Sequence, residues 1–242
     1  RQMCIRDRDN GKLWFETTLQ LPSFEANVTN ETAKRLSECF LAIAKLQPGC
    51  FVAHNGFEMH SRLEFPQNWG LGSSSTLINN LAQWAKVDAY KLLAATFGGS
   101  GYDIACAQHP YPITYQKTLK SPKIEKAVFN PSFKDQLFFV HQNQKQNSRD
   151  AIAHYNTLKT TQSLDFSELN ALTDALLVAT TLEEFEVLMS KHETIVGNLI
   201  QHPPIKASHF SDYNGAIKSL GAWGGDFFLA TGTEQQYFKD KG

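Results

Sequence analysis

The sequence predicts an α+β chain of two lobes, on three observations. Strand-like alternation and helix-like periodicity both recur along its length. A glycine and serine loop over residues 66–76 stands between a strand-like and a helix-like segment, the setting a phosphate loop needs. Residues 117–135 are rich in Lys, Pro and Ser without a sustained period, and mark the boundary between the lobes.

Composition bounds the rest. With 242 residues, 42% of them hydrophobic, the chain can bury a substantial core as one large or two small domains. Lys plus Arg number 23 against 24 Asp plus Glu, so the basic excess needed to bind a phosphate backbone is missing and nucleic acid is not an expected partner. Cys4, Cys39, Cys50 and Cys106 form no C-x-x-C pair and follow no secretory signal sequence, so they read as reduced thiols. No uncharged apolar run approaches the roughly 20 residues of a membrane helix, and a cytoplasmic location is expected.

Taken in order, residues 1–8 suit neither a strand nor an amphipathic helix and are set aside as a non-native leader. After the Asn10-Gly11 turn, residues 13–21 alternate as a half-buried strand with Leu13, Phe15, Thr17, Leu19 and Leu21 on one face. Asn30 or Thr29 caps a helix over residues 31–46, striped by Leu36, Cys39, Phe40 and Ile43. Residues 50–54 and 57–64 read as short strands around an Asn55-Gly56 hairpin turn. Beyond the loop a helix covers residues 76–86, and Asp88 caps another over 89–97. Gly101-Tyr102-Asp103 falls on a turn, followed by a strand over residues 111–116.

In the second lobe residues 136–142 form a strand and Ser148 caps a helix. Helices over 166–179 and 182–200 follow, the latter opened by Thr181 and Glu184 in capping-box spacing. His192 lies on the apolar side of that helix, as a core or boundary histidine rather than a ligand. Strands over 216–220 and 227–231 complete an antiparallel sheet with helices packed on it.

The loop carries the chemistry. Gly70, Leu71, Gly72, Ser73, Ser74 and Ser75 leave the backbone unobstructed, so successive N–H groups can turn toward one anion, while the following helix adds its positive end. A loop that merely caps its helix is the plainer alternative. No Lys follows the glycines as in G-x-x-x-x-G-K-S/T, and no third glycine completes a dinucleotide fingerprint.

Three segments in order resemble one family. Residues 66–75 resemble the P-x-x-x-G-L-G-S-S-A phosphate loop of the GHMP kinases, the superfamily of galactokinase, homoserine kinase and the mevalonate-type kinases. Gly99-Ser100-Gly101-Tyr102-Asp103-Ile104-Ala105 resembles the S-G-x-D segment of mevalonate-type members, and its Gly-Tyr-Asp-Ile-Ala resembles the string that names a bacterial subgroup. Lys218-Ser219-Leu220-Gly221-Ala222-Trp223-Gly224-Gly225-Asp226 resembles the C-terminal motif K-x-x-G-A-G-G-G-G, with Trp223 and Asp226 in place of small residues.

The resemblance implies the two-lobe GHMP kinase fold, with a ribosomal-protein-like first lobe over residues 9–120 and a ferredoxin-like second lobe over 121–242. It implies an enzyme that uses ATP and Mg²⁺ to phosphorylate a small metabolite, mevalonate or phosphomevalonate first among them, working as monomer or homodimer. A decarboxylase of diphosphomevalonate type and a non-catalytic nucleotide binder are the alternatives. The loop from Gly70 to Ser75 would hold the phosphates, Ser74 would offer its hydroxyl to Mg²⁺, and Asp103 would accept or orient the proton of the acceptor hydroxyl. A turn-forming Asp103 is the alternative at that position. Lys145 and Ser148 would meet a substrate anion or simply cap a helix; Gly221, Gly224 and Gly225 would support the loop, and His109 could face the same cleft. The family's metal-binding acid before the catalytic segment has no counterpart over residues 89–102, leaving Asp88 as the nearest. Its Lys-bearing first strand also has none, which implies a first lobe lacking its opening strands.

Overall fold

The computed structural model describes residues 2–9, 11–52, 56–118, 121–143, 148–161, 165–221 and 226–241. The chain divides into two compact units, one of residues 1–67 and 71–127, the other of 68–70 and 128–242.

The first unit is built on a four-stranded sheet in the order β3-β2-β1-β4, from β1 (Gln2–Asp9), β2 (Lys12–Gln20), β3 (Glu25–Ala26) and β4 (Gly56–Leu63). Four helices accompany it: α1 (Glu31–Leu46), α2 (Ser73–Ala85), α3 (Ala89–Ala95) and α4 (Tyr102–Gln108). A two-stranded ribbon, β5 (Ile113–Gln116) with β6 (Lys123–Lys126), closes the unit. The inward row of β2, Phe15, Thr17 and Leu19, is buried against Leu36, Phe40 and Ile43 of α1 and Ile78 and Leu81 of α2, whereas Leu13 at the open end stays 47% exposed. Each such Leu or Phe contributes about 1.5–3 kcal/mol by leaving water.

Two expectations fail here. Residues 2–8 form most of β1, antiparallel to β2 and parallel to β4. Met3 and Ile5 are buried in the core while Arg6, on the opposite face, pairs with Glu16 and Glu58, so the period-2 pattern is present but short and charged. The strand expected before the Asn55-Gly56 turn also fails over residues 50–52: Cys50 and Phe51 lie in a turn that drives the Phe51 ring among Phe24, Phe57 and Trp84, and β4 pairs with β1. Asn55 lies outside the described residues. Gly56 is glycine for a tertiary reason, since a Cβ there would stand 2.6 Å from the Gln2 carbonyl oxygen.

The second unit carries an antiparallel sheet in the order β7-β9-β8, from β7 (Leu137–His141), β8 (Ile217–Ser219) and β9 (Phe227–Thr231). Its helices are α5 (Ser148–Thr161), α6 (Ser167–Val178), α7 (Leu182–Ile200), α8 (Ile205–His209) and α9 (Gln235–Lys241). Thr181 caps α7 by accepting from Glu184 N, but the Glu184 carboxylate reaches back to Thr180 N, one residue earlier than a capping box places it. Phe185 and Met189 anchor α7 in one core cluster, and Phe228, Ala230 and Phe238 form another.

Candidate functional site

The loop is shaped by two left-handed glycines. After β4 a single helical turn, residues Gln67–Trp69, leads to Gly70 at φ 66° and Gly72 at φ 73°, conformations that side chains with a Cβ adopt only at a cost. Gly72 opens α2, its carbonyl accepting from Thr76 N at 2.9 Å and from Thr76 Oγ1 at 3.1 Å. No side chain caps this helix and no acid stands in its first turn. The N–H groups of Ser73, Ser74 and Ser75 are therefore the donors that a helix start leaves without intrahelical partners, with the positive end of the dipole behind them. Ser74 is exposed; Ser73 and Ser75 are half-buried. The helix begins at Ser73, three residues before the expected start.

Asp103 is in the first turn of α4, not on the turn the sequence predicts. That helix escapes sequence reading because it is seven residues long and buries only Ile104 and Ala105. Gly101 starts it at φ 82°, where a Cβ would stand 2.9 Å from the Tyr90 ring. The preceding turn is pinned at three points. Ser100 Oγ accepts from Tyr102 N, the Ser100 carbonyl from the Tyr115 hydroxyl at 2.5 Å, and the Gly99 carbonyl from Lys117 Nζ at 3.2 Å.

The consequence is that the loop and the aspartate meet. A Cβ built on Gly72 would stand 3.4 Å from Asp103 Oδ2, so the carboxylate lies against the bare backbone where α2 begins. Asp103 remains on the surface, yet the protein packed about its carboxylate raises its pKa above the ordinary value by desolvation. Behind them Gln108 Nε2 of α4 donates to Asn79 Oδ1 of α2 at 3.0 Å. Asn79, 3% exposed, ties α2 to α4 and is missed by pattern reading; its signal is an amide on the apolar side of a helix.

The other expected residues fall elsewhere. Asp88 Oδ1 accepts from Tyr90 N and Lys91 N and caps α3. His109 Nδ1 bonds the Ala105 carbonyl at 2.7 Å and closes α4. Gly221 follows β8 at φ 69°. Ser148 is the first residue of α5, while Lys145, Gly224 and Gly225 lie outside the described residues. Within the second unit, Gly70 approaches Asp226 so closely that a Cβ would fall 1.5 Å from Oδ2, and the Trp69 ring stands 5.7 Å from that of Phe227. Among the described residues no group of three or more His, Cys, Asp or Glu could hold a metal ion, and no helix is long and apolar enough to cross a membrane.

No protein-family model matches the chain, and no curated protein does. Solved structures do. The Lin0012 protein from Listeria innocua aligns at TM-score 0.59 and 15% identity over 98% of this chain and 81% of that one. Mevalonate kinase from Methanococcus jannaschii aligns at TM-score 0.62 and 16% identity, covering 98% of this chain and 79% of that one. Lactococcus lactis galactokinase, solved with galactose, aligns at TM-score 0.62 and 14% identity, covering 98% and 76%. The chain has the GHMP kinase fold.

Proposed function

We propose that the chain transfers a phosphoryl group from ATP to a hydroxyl or phosphate of a small metabolite, with mevalonate and phosphomevalonate as the first candidates. The observation that carries this is the placement of the Asp103 carboxylate against Gly72, where α2 starts without a cap. Phosphoryl transfer asks for positioning and charge stabilisation, and these are what the residues supply. The backbone from Gly70 to Ser75 would hold the phosphates, because its glycines leave room for close approach and its helix start offers N–H donors. Asp103 would take or orient the acceptor proton, and the raised pKa of its carboxylate favours proton acceptance. The exposed Ser74 hydroxyl would contribute to holding Mg²⁺, which when bound supplies charge neutralisation on the phosphates.

Release of ADP by the purified chain, measured against mevalonate, phosphomevalonate, homoserine and a panel of sugars, tests the proposal. Turnover of at least one acceptor is expected, and turnover of none overturns it. A second reading, a nucleotide binder without turnover, draws on the commitment of Asp88 to capping α3 and on the absence of an acidic cluster among the described residues. Calorimetric ATP titration separates the two, since the kinase should bind ATP more tightly with Mg²⁺ and the binder should show no dependence on it.

A further inference from the structure

The second unit carries a half-open cavity of about 830 Å³ whose walls include no residue of the glycine and serine loop. Val196 and Ile200 of α7 give it an apolar side; Lys218 and Ser219 of β8 and His192 and Glu193 of α7 give it a polar one. Glu193 is 6% exposed and spends its carboxylate on Ser219, accepting from the backbone N at 3.1 Å and from Oγ at 2.6 Å. Lys218 Nζ donates to the Ser219 carbonyl at 3.1 Å, which uses one of its three donors. No carboxylate stands within ion-pairing distance of it among the described residues. Burial lowers the Lys218 pKa, Glu193 opposing in part. Beside it, His192 Nδ1 is buried without a hydrogen-bond partner. Glu193 supplies part of the counter-charge, and a second anion would stabilise an ammonium desolvated this far still more. The sign of the wall agrees: Lys218 and Lys239 line it with Glu193 as the acid among the described residues, while Lys241, also on the wall, is paired with Asp212.

We propose that this cavity is a second ligand site, taking a small anion whose carboxylate or phosphate group pairs with the Lys218 ammonium while its apolar part lies toward Val196 and Ile200. The proposal stands independently of phosphoryl transfer at the first unit's loop. Its test is calorimetric titration of the full chain with succinate and, separately, with inorganic phosphate. One of the two should bind, and which one decides between carboxylate and phosphate. Lys218→Met should weaken that binding by about tenfold or more, the scale of a charged hydrogen bond, with Lys218→Arg retaining part of it. Gly72→Ala should leave it intact. A second readout uses the unaltered chain: acylation of Lys218, followed by mass spectrometry, should slow when the bound anion is present. The proposal is overturned if neither anion binds at ~10 mM, a concentration that would reveal even a weak site. Succinate binding that survives Lys218→Met, or is lost in Gly72→Ala, overturns it too, as does an unchanged acylation rate.

Discussion

Within the first unit, α1 and α3 begin in one way and α2 and α4 in another. Asn30 caps α1 by accepting from Ala33 N, with Glu31 in the first turn, and Asp88 caps α3 through two backbone N–H groups. Helices α2 and α4 start instead from left-handed glycines with no side-chain cap. A glycine at this position gives up only a few tenths of a kcal/mol, roughly, against a Ser, Thr, Asn or Asp cap, so each of these two helices forgoes little. The two uncapped starts lie together, Gly72 against Asp103, whereas the capped ones serve only their own helices. A helix start that gives up its own cap keeps its donors available to something else, and the carboxylate beside it has a reason to be there.

The largest effect expected of that difference is on chemistry. Asp103→Asn should lower kcat on the order of a hundredfold or more, with ATP affinity nearly unchanged. Stability should move the other way. Desolvation raises the folded-state pKa of Asp103, so the ionised form costs the fold stability above that pKa, and the cost disappears once pH falls below the ordinary carboxylate value near 4. The variant should thus melt no lower than the parent at pH 7, with any advantage fading toward pH 4. Near-parental turnover together with a lower melting temperature would return Asp103 to a merely structural place in α4.

Next come the glycines, compared by denaturant unfolding. Gly70→Ala meets both a left-handed backbone and the Asp226 carboxylate, and should cost about 1–3 kcal/mol. Gly72→Ala makes only ordinary contact with Asp103 and should cost less, about 1 kcal/mol from the backbone alone, while weakening ATP binding more. Equal losses at the two positions would remove Asp226 from the account.

The capped helices provide the contrast. Asp88→Ala should cost about 1 kcal/mol of stability and leave the Mg²⁺ dependence of turnover as it was. If half-maximal Mg²⁺ moved instead, the Asp88 carboxylate would belong to the metal as well as to α3. Smallest in stability is Ser74→Ala, within about 0.5 kcal/mol because the side chain is exposed. Its effect should be on the Mg²⁺ needed for half-maximal rate, and an unaltered requirement would take Ser74 out of the metal site.

Much of the molecule could be read from local pattern. Helix α7 carries the predicted bounds, and the caps Asn30, Asp88 and Thr181 were recognisable, because a side chain that bonds a backbone N–H two or three residues on acts within one window of sequence. The strand at β2 was equally plain from its alternation. Strand β1 was not, because Arg6 and Arg8 mask a pattern whose meaning depends on Glu16 and Glu58, the latter 52 residues from Arg6. The failed strand at residues 50–52 has the same origin: the Phe51 ring packs among aromatics far along the chain, and the β1 edge offered β4 a full parallel ladder.

For the site, residue identities and order were enough to single out the glycines of the loop, the serines that follow and Asp103, since backbone freedom and charge are properties of single residues. The meeting of Gly72 with Asp103, the Asn79–Gln108 bond that ties α2 to α4 over 29 residues, and the burial of Lys218 beside His192 were decided only by tertiary structure. Their energies come from desolvation and contact between segments far apart in the chain, which no local window contains.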